Sequence, residues 1–196
     1  MSASRTAGED ELELKARVDD PVALEAALAR AGAELVFRGE MVDRRYDRDG
    51  TLEARDEVLR LRVYRGTDAY GVLAWKGPAS VRGGYKHRVE HEVRVDDPEG
   101  ALAILQRLGY EVVMRIDRTI AEYRLAGAAV RIERYPAMDV LVEIEGEPAA
   151  IERAVAATGV ARDRFLPEPL AHFVAAYERR TGRPAQIAAP PPPAPR

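Results

Sequence analysis

Three features of the sequence predict an α+β fold. About eight segments alternate charged and apolar residues with period two, the pattern of strands with one polar and one apolar face. Segments with apolar residues at helical spacing lie between them, opened by Asp-Pro or Pro and closed by Gly. The two kinds of segment recur in a loose repeat: each half of the chain begins with a charged-faced strand, followed by Asp-Pro, a helix and Gly.

The first strand, residues 9–18, sets the pattern. Glu9, Glu11, Glu13, Lys15 and Arg17 share one face, and Leu12, Leu14, Ala16 and Val18 the other. Asp20-Pro21 caps a helix whose apolar stripe is Val22, Leu24, Ala27, Leu28 and Ala31, ended by Gly32. Residues 37–46 read as a second strand and residues 58–64 as a third, with Arg60, Arg62 and Tyr64 opposite Leu59, Leu61 and Val63. Residues 70–76 follow a turn at Gly66-Thr67-Asp68 and end at Lys76, before Gly77-Pro78. After a turn at Gly83-Gly84, Lys86, Arg88, Glu90, Glu92 and Arg94 oppose Val89, His91, Val93 and Val95. Asp97-Pro98 starts a second helix, and two separate extended segments are expected at 111–117 and 119–125. Residues 128–134 place Arg131 and Glu133 on one face, and residues 140–147 do the same with Glu143 and Glu145. Helices are expected from Pro148 to Gly159 and over residues 169–180. This organisation makes residues 9–181 one domain, between a mobile lead-in at 1–8 and a disordered Pro- and Ala-rich tail at 182–196.

Composition excludes several classes. The 196 residues are 46% hydrophobic and 32% charged, with a net charge of -3 that gives no general attraction to nucleic acid or anionic membranes. With no cysteine, disulfides and thiolate metal sites are excluded, and a cytoplasmic setting is expected. No apolar run is long enough to span a bilayer, and the N-terminal residues lack the apolar stretch of a signal peptide. Of the 30 basic residues only Lys15, Lys76 and Lys86 are lysines, and all three fall on charged strand faces. No phosphate-binding Gly-rich loop, His-Glu-x-x-His helix or dinucleotide fingerprint is present, and His87, His91 and His172 are scattered.

The charged faces admit two arrangements. They can converge inside a closed barrel, since eight strands suffice to enclose side chains or one small ligand. They can also form an exposed ladder of cross-strand salt bridges. A closed interior would gather Glu11, Glu13, Glu90, Glu92, Glu133, Glu143 and Glu145 with Lys15, Arg60, Arg62, Lys76, Lys86, Arg88 and Arg131. So many charges are costly to bury alone, but a polyanion with a hard divalent cation would satisfy both sets.

In order along the chain, Glu11-Leu-Glu13-Leu-Lys15, Leu59-Arg60-Leu61-Arg62, Trp75-Lys76-Gly77-Pro78, Arg88-Val-Glu90-His-Glu92, Val130-Arg-Ile-Glu133 and Val142-Glu143-Ile-Glu145-Gly146 resemble the CYTH family. This is the class IV adenylyl cyclase and thiamine triphosphatase group, the triphosphate tunnel metalloenzymes, and the resemblance runs from Glu9 to about Tyr177. It implies an eight-stranded antiparallel closed β-barrel, a triphosphate tunnel, with helices packed outside. It further implies a small-molecule triphosphate substrate and Mg²⁺ or Mn²⁺; neither nucleic acid nor membrane is expected as a partner, and a homodimer is left open. Carried over by motif, Glu11, Glu13, Glu133, Glu143 and Glu145 would hold metal, with Glu11, Glu13 and Lys15 catalytic. Lys15, Arg60, Arg62, Lys76, Arg88 and Arg118 would bind phosphate, and Lys86, Glu90, Glu92 and Arg131 would line the wall. Two positions depart from the family pattern. Ile120 stands three residues before Tyr123 where arginine is usual, with Arg118 on the same face as its substitute, and Glu133 stands where aspartate is more common. The implied activity is metal-dependent hydrolysis of a triphosphate-containing substrate. A cyclase acting on ATP and a non-catalytic polyphosphate or nucleotide binder are the alternatives.

Overall fold

The computed structural model describes residues 9–66 and 69–190. Its strands are β1 (Glu9–Val18), β2 (Glu34–Asp47), β3 (Val58–Arg65), β4 (Tyr70–Lys76), β5 (Ser80–Arg82), β6 (Tyr85–Val95), β7 (Glu111–Leu125), β8 (Ala128–Arg134) and β9 (Val140–Glu145). The helices are α1 (Pro21–Arg30), α2 (Pro98–Arg107), α3 (Pro148–Thr158) and α4 (Leu170–Thr181). All strand pairs are antiparallel, in the order β1-β9-β8-β7-β2-β3-β4-β6-β5. A further pairing of β1 with β6, from Glu9↔Glu90 to Glu13↔Lys86, joins eight of them into a ring. The open salt-bridge ladder is thereby excluded, because the charged faces turn inward.

Local chemistry places each helix. The Asp20 side chain accepts from the Val22 and Ala23 amides at 3.0 and 2.9 Å, and Asp97 accepts from the Gly100 amide at 2.9 Å, so two otherwise orphaned first turns are capped. α1 and α3 cover the outer face of β1, β8 and β9 in the main core, where Leu14, Leu28, Val130, Ile132, Val142, Ile144 and Ile151 are fully buried. Each such aliphatic side chain contributes about 1.5–3 kcal/mol on burial. α2 places Leu105 over Tyr46 and Leu61. α4 does something different: Phe173 packs on Ile116, Tyr135 and Leu141. These lie two residues from Arg118, Glu133 and Glu143, on the same strand faces, so α4 closes one end of the charged interior.

Three expectations are corrected, and one element is added. Residues 111–125 form one strand, because Asp117 and Arg118 pair with Val42 and Met41 without a break. The strand expected at 37–46 begins earlier, at Glu34, and ends at Asp47. The turn expected at Gly83-Gly84 is present, with φ of +59° and +86°, as a hairpin turn in which both central residues need positive φ; the short β5 before it is the added element. The tail is held over part of its length. Gln186 and Ala137 exchange backbone hydrogen bonds of 2.8 and 3.0 Å, the Asp117 amide donates to the Ile187 carbonyl at 2.8 Å, and Ile187 packs beside α4. Packing of Ile187 and an isolated backbone bridge to Ala137, between β8 and β9, outweigh the surrounding Pro and Ala. The lead-in at 1–8, the turn residues 67–68 and the tail residues 191–196 lie outside the described residues. No helix among the described residues is long and apolar enough to cross a membrane.

Candidate functional site

Alternation carries the charges inside. Glu11, Glu13, Lys15, Arg60, Arg62, Glu90, Arg118, Arg131, Glu133 and Glu143 are all buried, each at 8% exposure or less. Burying this many ions is tolerable only where they pair with good geometry, since the effective penalty is several kcal/mol per ion. They do pair. Lys15 Nζ lies 2.6 Å from Glu143, whose other oxygen accepts from Arg131 at 2.6 Å. Lys76 bridges Glu11 at 2.6 Å and Glu90 at 3.1 Å, and Arg60 reaches Glu90 and Glu92 at 3.3 and 3.1 Å. Lys86 holds Glu13 at 2.5 Å. Arg118 donates to Glu133 at 2.9 Å and to Asp43 at 3.1 Å, and Tyr135 donates its hydroxyl to Glu133 at 2.6 Å.

The titration behaviour follows. Burial pushes the Glu143 carboxyl up, but Lys15 and Arg131 outweigh it and hold the group well below the usual carboxylate range. Asp43 behaves likewise beside Arg62, Arg118 and Arg60. Burial pulls the Lys15 ammonium down, while Glu143, Glu133 and Glu13 together raise it above its ordinary value.

The predicted residues do not all converge. Arg88 faces inward, but its guanidinium is committed to Asp56 at 2.8 Å and to the Gly77 carbonyl at 2.7 Å, at the ring's edge. Glu145 stands directly opposite Glu13 across β1 and β9. Among the described residues, no three carboxylates or histidines are grouped to hold a metal ion. Glu13 faces Glu145, two carboxylates of the oxygen-donor kind that a hard cation takes. His91 is exposed on the outer side, beside Trp75, and His87 ties β5 to β1, with Ser80 Oγ at 2.9 Å and Asp10 Oδ1 at 2.8 Å.

Two interior residues were missed. Asp43 is the bidentate partner of Arg62, at 2.7 and 2.9 Å. Arg45, two residues on, lies directly opposite Arg60. Burial, and then the Arg60 charge, lower Arg45 to about 10. The signal was available: Met41, Asp43 and Arg45 alternate as the other strands do. The adjacent Arg44 and a register shift between Arg45 and Tyr46 obscured which arginine faces in. Three buried guanidinium nitrogens, Arg45 Nε, Arg60 Nε and Arg118 Nη1, have no hydrogen-bond acceptor.

An antiparallel ring of eight strands with a charged, cation-bearing interior and external helices defines the class. The chain belongs to the CYTH domain family, whose model matches residues 9–157. Among solved structures, a candidate adenylate cyclase from Vibrio parahaemolyticus is similar at 19% identity and a TM-score of 0.72, covering 86% of this chain and 99% of its own. A Pyrococcus horikoshii protein is similar at 23% identity and a TM-score of 0.67, covering 85% and 98%. A candidate adenylyl cyclase from Hippeastrum, described as having a dominant triphosphatase activity, covers 92% of both chains at 16% identity and a TM-score of 0.56. At these identities the likeness establishes the fold. No curated protein matches.

Proposed function

We propose that the chain is a divalent-metal-dependent hydrolase of a triphosphate-containing substrate, such as inorganic triphosphate, thiamine triphosphate or a nucleoside triphosphate, bound inside the ring as in a tunnel. The observation that carries this reading is the set of buried arginine nitrogens without acceptors at Arg45, Arg60 and Arg118. An unsatisfied buried donor costs about 1–3 kcal/mol, more when charged, and three on neighbouring strands call for an anion with several oxygens. Arg60, Arg62, Arg118, Lys76 and Lys15 would hold the phosphates by charge-assisted hydrogen bonds, stabilising the charge spread over the transferred group. Glu11, Glu13, Glu133, Glu143 and Glu145 are the carboxylates that would hold Mg²⁺ or Mn²⁺. When bound, the metal would supply charge neutralisation and orient water. Glu133 carries one more methylene than aspartate, and its pairing with Arg118 and Tyr135 fixes that extra reach.

A cyclase releasing cyclic AMP and pyrophosphate from ATP would use the same charges. Two of the neighbours named above are described as cyclase candidates, which supports keeping this second reading. Product analysis decides. Phosphate release from tripolyphosphate or ATP in the presence of Mg²⁺ or Mn²⁺ is expected, cyclic AMP would replace the hydrolase reading by the cyclase, and tight binding without turnover would leave a binder. Absence of tripolyphosphate binding at any metal concentration would refute all three.

A further inference from the structure

On the outer side of the ring, away from the charged interior, three strands bring a serine, a histidine and an aspartate into one hydrogen-bonded line. Ser80 of β5 stands directly opposite His87 of β6, and β1 pairs with the other edge of β6, which sets Asp10 beside the same imidazole. The neighbouring Lys86 points the other way, to Glu13 in the interior. Ser80 Oγ is 2.9 Å from His87 Nδ1, and His87 Nε2 is 2.8 Å from Asp10 Oδ1. The proton positions follow from the partners. Hydrogen bonds from His87 and Arg82 hold the Asp10 carboxyl below its usual range, so at neutral pH it is ionised and can only accept. His87 Nε2 must then carry a hydrogen, and in the neutral ring Nδ1 is left to accept from the Ser80 hydroxyl. His87 is 8% exposed, whereas Ser80 is exposed, so the base is shielded and the hydroxyl is presented to solvent. Arg82, two residues along β5, commits one of its five N–H donors to Asp10 Oδ2 at 2.5 Å.

We propose that Ser80, His87 and Asp10 form a nucleophilic relay that hydrolyses short acyl esters, a second activity that does not depend on the ring interior. A serine hydroxyl is activated when a base lies within hydrogen-bond reach and a third group orients that base. Both conditions are met here. Either imidazole nitrogen can act as the base, provided that the other carries the hydrogen and has an acceptor for it. Ser80 Oγ attacks the ester carbonyl carbon while its proton passes to His87 Nδ1, and the resulting oxyanion is met by the remaining donors of Arg82. The C–O bond to the leaving alcohol then breaks, and the alcohol takes the proton from His87. Water repeats the sequence on the acyl-serine, releasing the carboxylic acid and restoring Ser80. An exposed nucleophile suits a short acyl chain, for which Val89, the next outward residue of β6 and 38% exposed, gives an apolar edge. The hairpin does not need this hydroxyl to stay in place, because three ladder pairs and the Arg82–Asp10 ion pair already hold β5.

The test uses the full chain with two probes: a fluorophosphonate, whose adduct is located by peptide mass spectrometry, and p-nitrophenyl acetate, whose hydrolysis is followed against buffer alone. The wild type should be labelled at Ser80 and should hydrolyse the ester faster than buffer does. Ser80→Ala should lose the label and fall to the buffer rate. His87→Gln keeps a hydrogen-bonding side chain but removes the base, and should slow both reactions about a hundredfold. Circular dichroism melts report whether each variant is folded; where His87→Gln is not, Asp10→Asn replaces it and should slow both reactions about tenfold or more. A wild type without an adduct on Ser80, an adduct that forms as fast without the base, or ester hydrolysis undiminished in Ser80→Ala overturns the proposal and leaves the three residues as a clasp on the hairpin.

Discussion

Arg45 offers the sharpest test of what the interior was built to hold. It faces Arg60 directly across β2 and β3, and like charges directly opposite destabilise a sheet. Burial and the neighbouring Arg60 lower its guanidinium to about 10, from an ordinary value above 12. At about 1.4 kcal/mol per pKa unit, keeping it charged at neutral pH costs the fold about 3 kcal/mol. The sign is clear: for a base whose folded-state value is depressed, the unfolded chain binds the proton more tightly, so stability rises with pH above about 10 and the full cost is present below it. Arg45→Gln should therefore stabilise the protein measured without ligand by about 1–3 kcal/mol. For a chain of this size that is about 2–4 °C of melting temperature per kcal/mol. The same substitution should weaken tripolyphosphate binding by about 1.5–3 kcal/mol, the worth of a hydrogen bond to a charged group. Thermal melts and titration calorimetry on the same preparations read both numbers. A variant that is less stable, with unchanged affinity, would refute the argument, because it would make Arg45 a structural residue.

Two further outcomes follow from the pairing. Glu143→Gln leaves Lys15 and Arg131 buried without their shared carboxylate, so a loss of about 3–5 kcal/mol is expected in chemical denaturation, together with loss of turnover; a variant as stable as the wild type would show that the Lys15–Glu143–Arg131 cluster does not hold in solution. The pH profile gives the same cluster a second reading: a carboxyl held well below its usual range stabilises the fold above the ordinary carboxylate range and loses that contribution as pH falls through its folded-state value, so acid unfolding should be shallower in Glu143→Gln than in the wild type. Deleting residues 183–196 removes three backbone hydrogen bonds and the packing of Ile187, and should cost about 2–4 kcal/mol; an unchanged melting temperature would show that the strap contributes nothing.

The fold was legible because alternation is a strong local signal. On β1 and β6 charged residues recur at every second position, and on β3 and β9 a pair of them does, and the ring assigned those faces to one interior. What alternation cannot give is partner identity. Glu11, Glu13, Glu133 and Glu143 read in isolation suggest carboxylates repelling one another, relieved by removing one. The three-dimensional pairing gives each a cation from a different strand, so removal costs stability instead. Arg88 shows the same limit in reverse: it carries the family motif and the inward phase, yet Asp56, from the irregular segment between β2 and β3, claims its guanidinium. Ile120 and Tyr70 were legible only as a departure and as a strand residue, because the apolar cluster they join with Met41 and Tyr64, assembled from β2, β3, β4 and β7, has no signature in any one of them.

How the interior is neutralised dictates how ligands enter it. Apart from Arg45, the inward cations that would grip a phosphate already grip carboxylates: Arg60 holds Glu90 and Glu92, Lys76 holds Glu11 and Glu90, and Arg131 holds Glu122 and Glu143. An anion cannot take these groups without releasing their partners. A buried carboxylate left alone costs several kcal/mol, which would cancel most of what the new phosphate contacts provide. A divalent cation arriving with the anion removes that cost, because the released carboxylates become its ligands. Under the proposed function the two affinities would therefore be coupled, and by thermodynamic reciprocity the factor by which metal tightened phosphate binding would equal the factor by which phosphate tightened metal binding. Monophosphate, which would displace few pairs and leave Arg45, Arg60 and Arg118 only partly satisfied, gains little from this exchange. A chain of three phosphates would span enough cations for the exchange to run forward, and that is the physical ground for the proposed preference for a polyphosphate over a single anion.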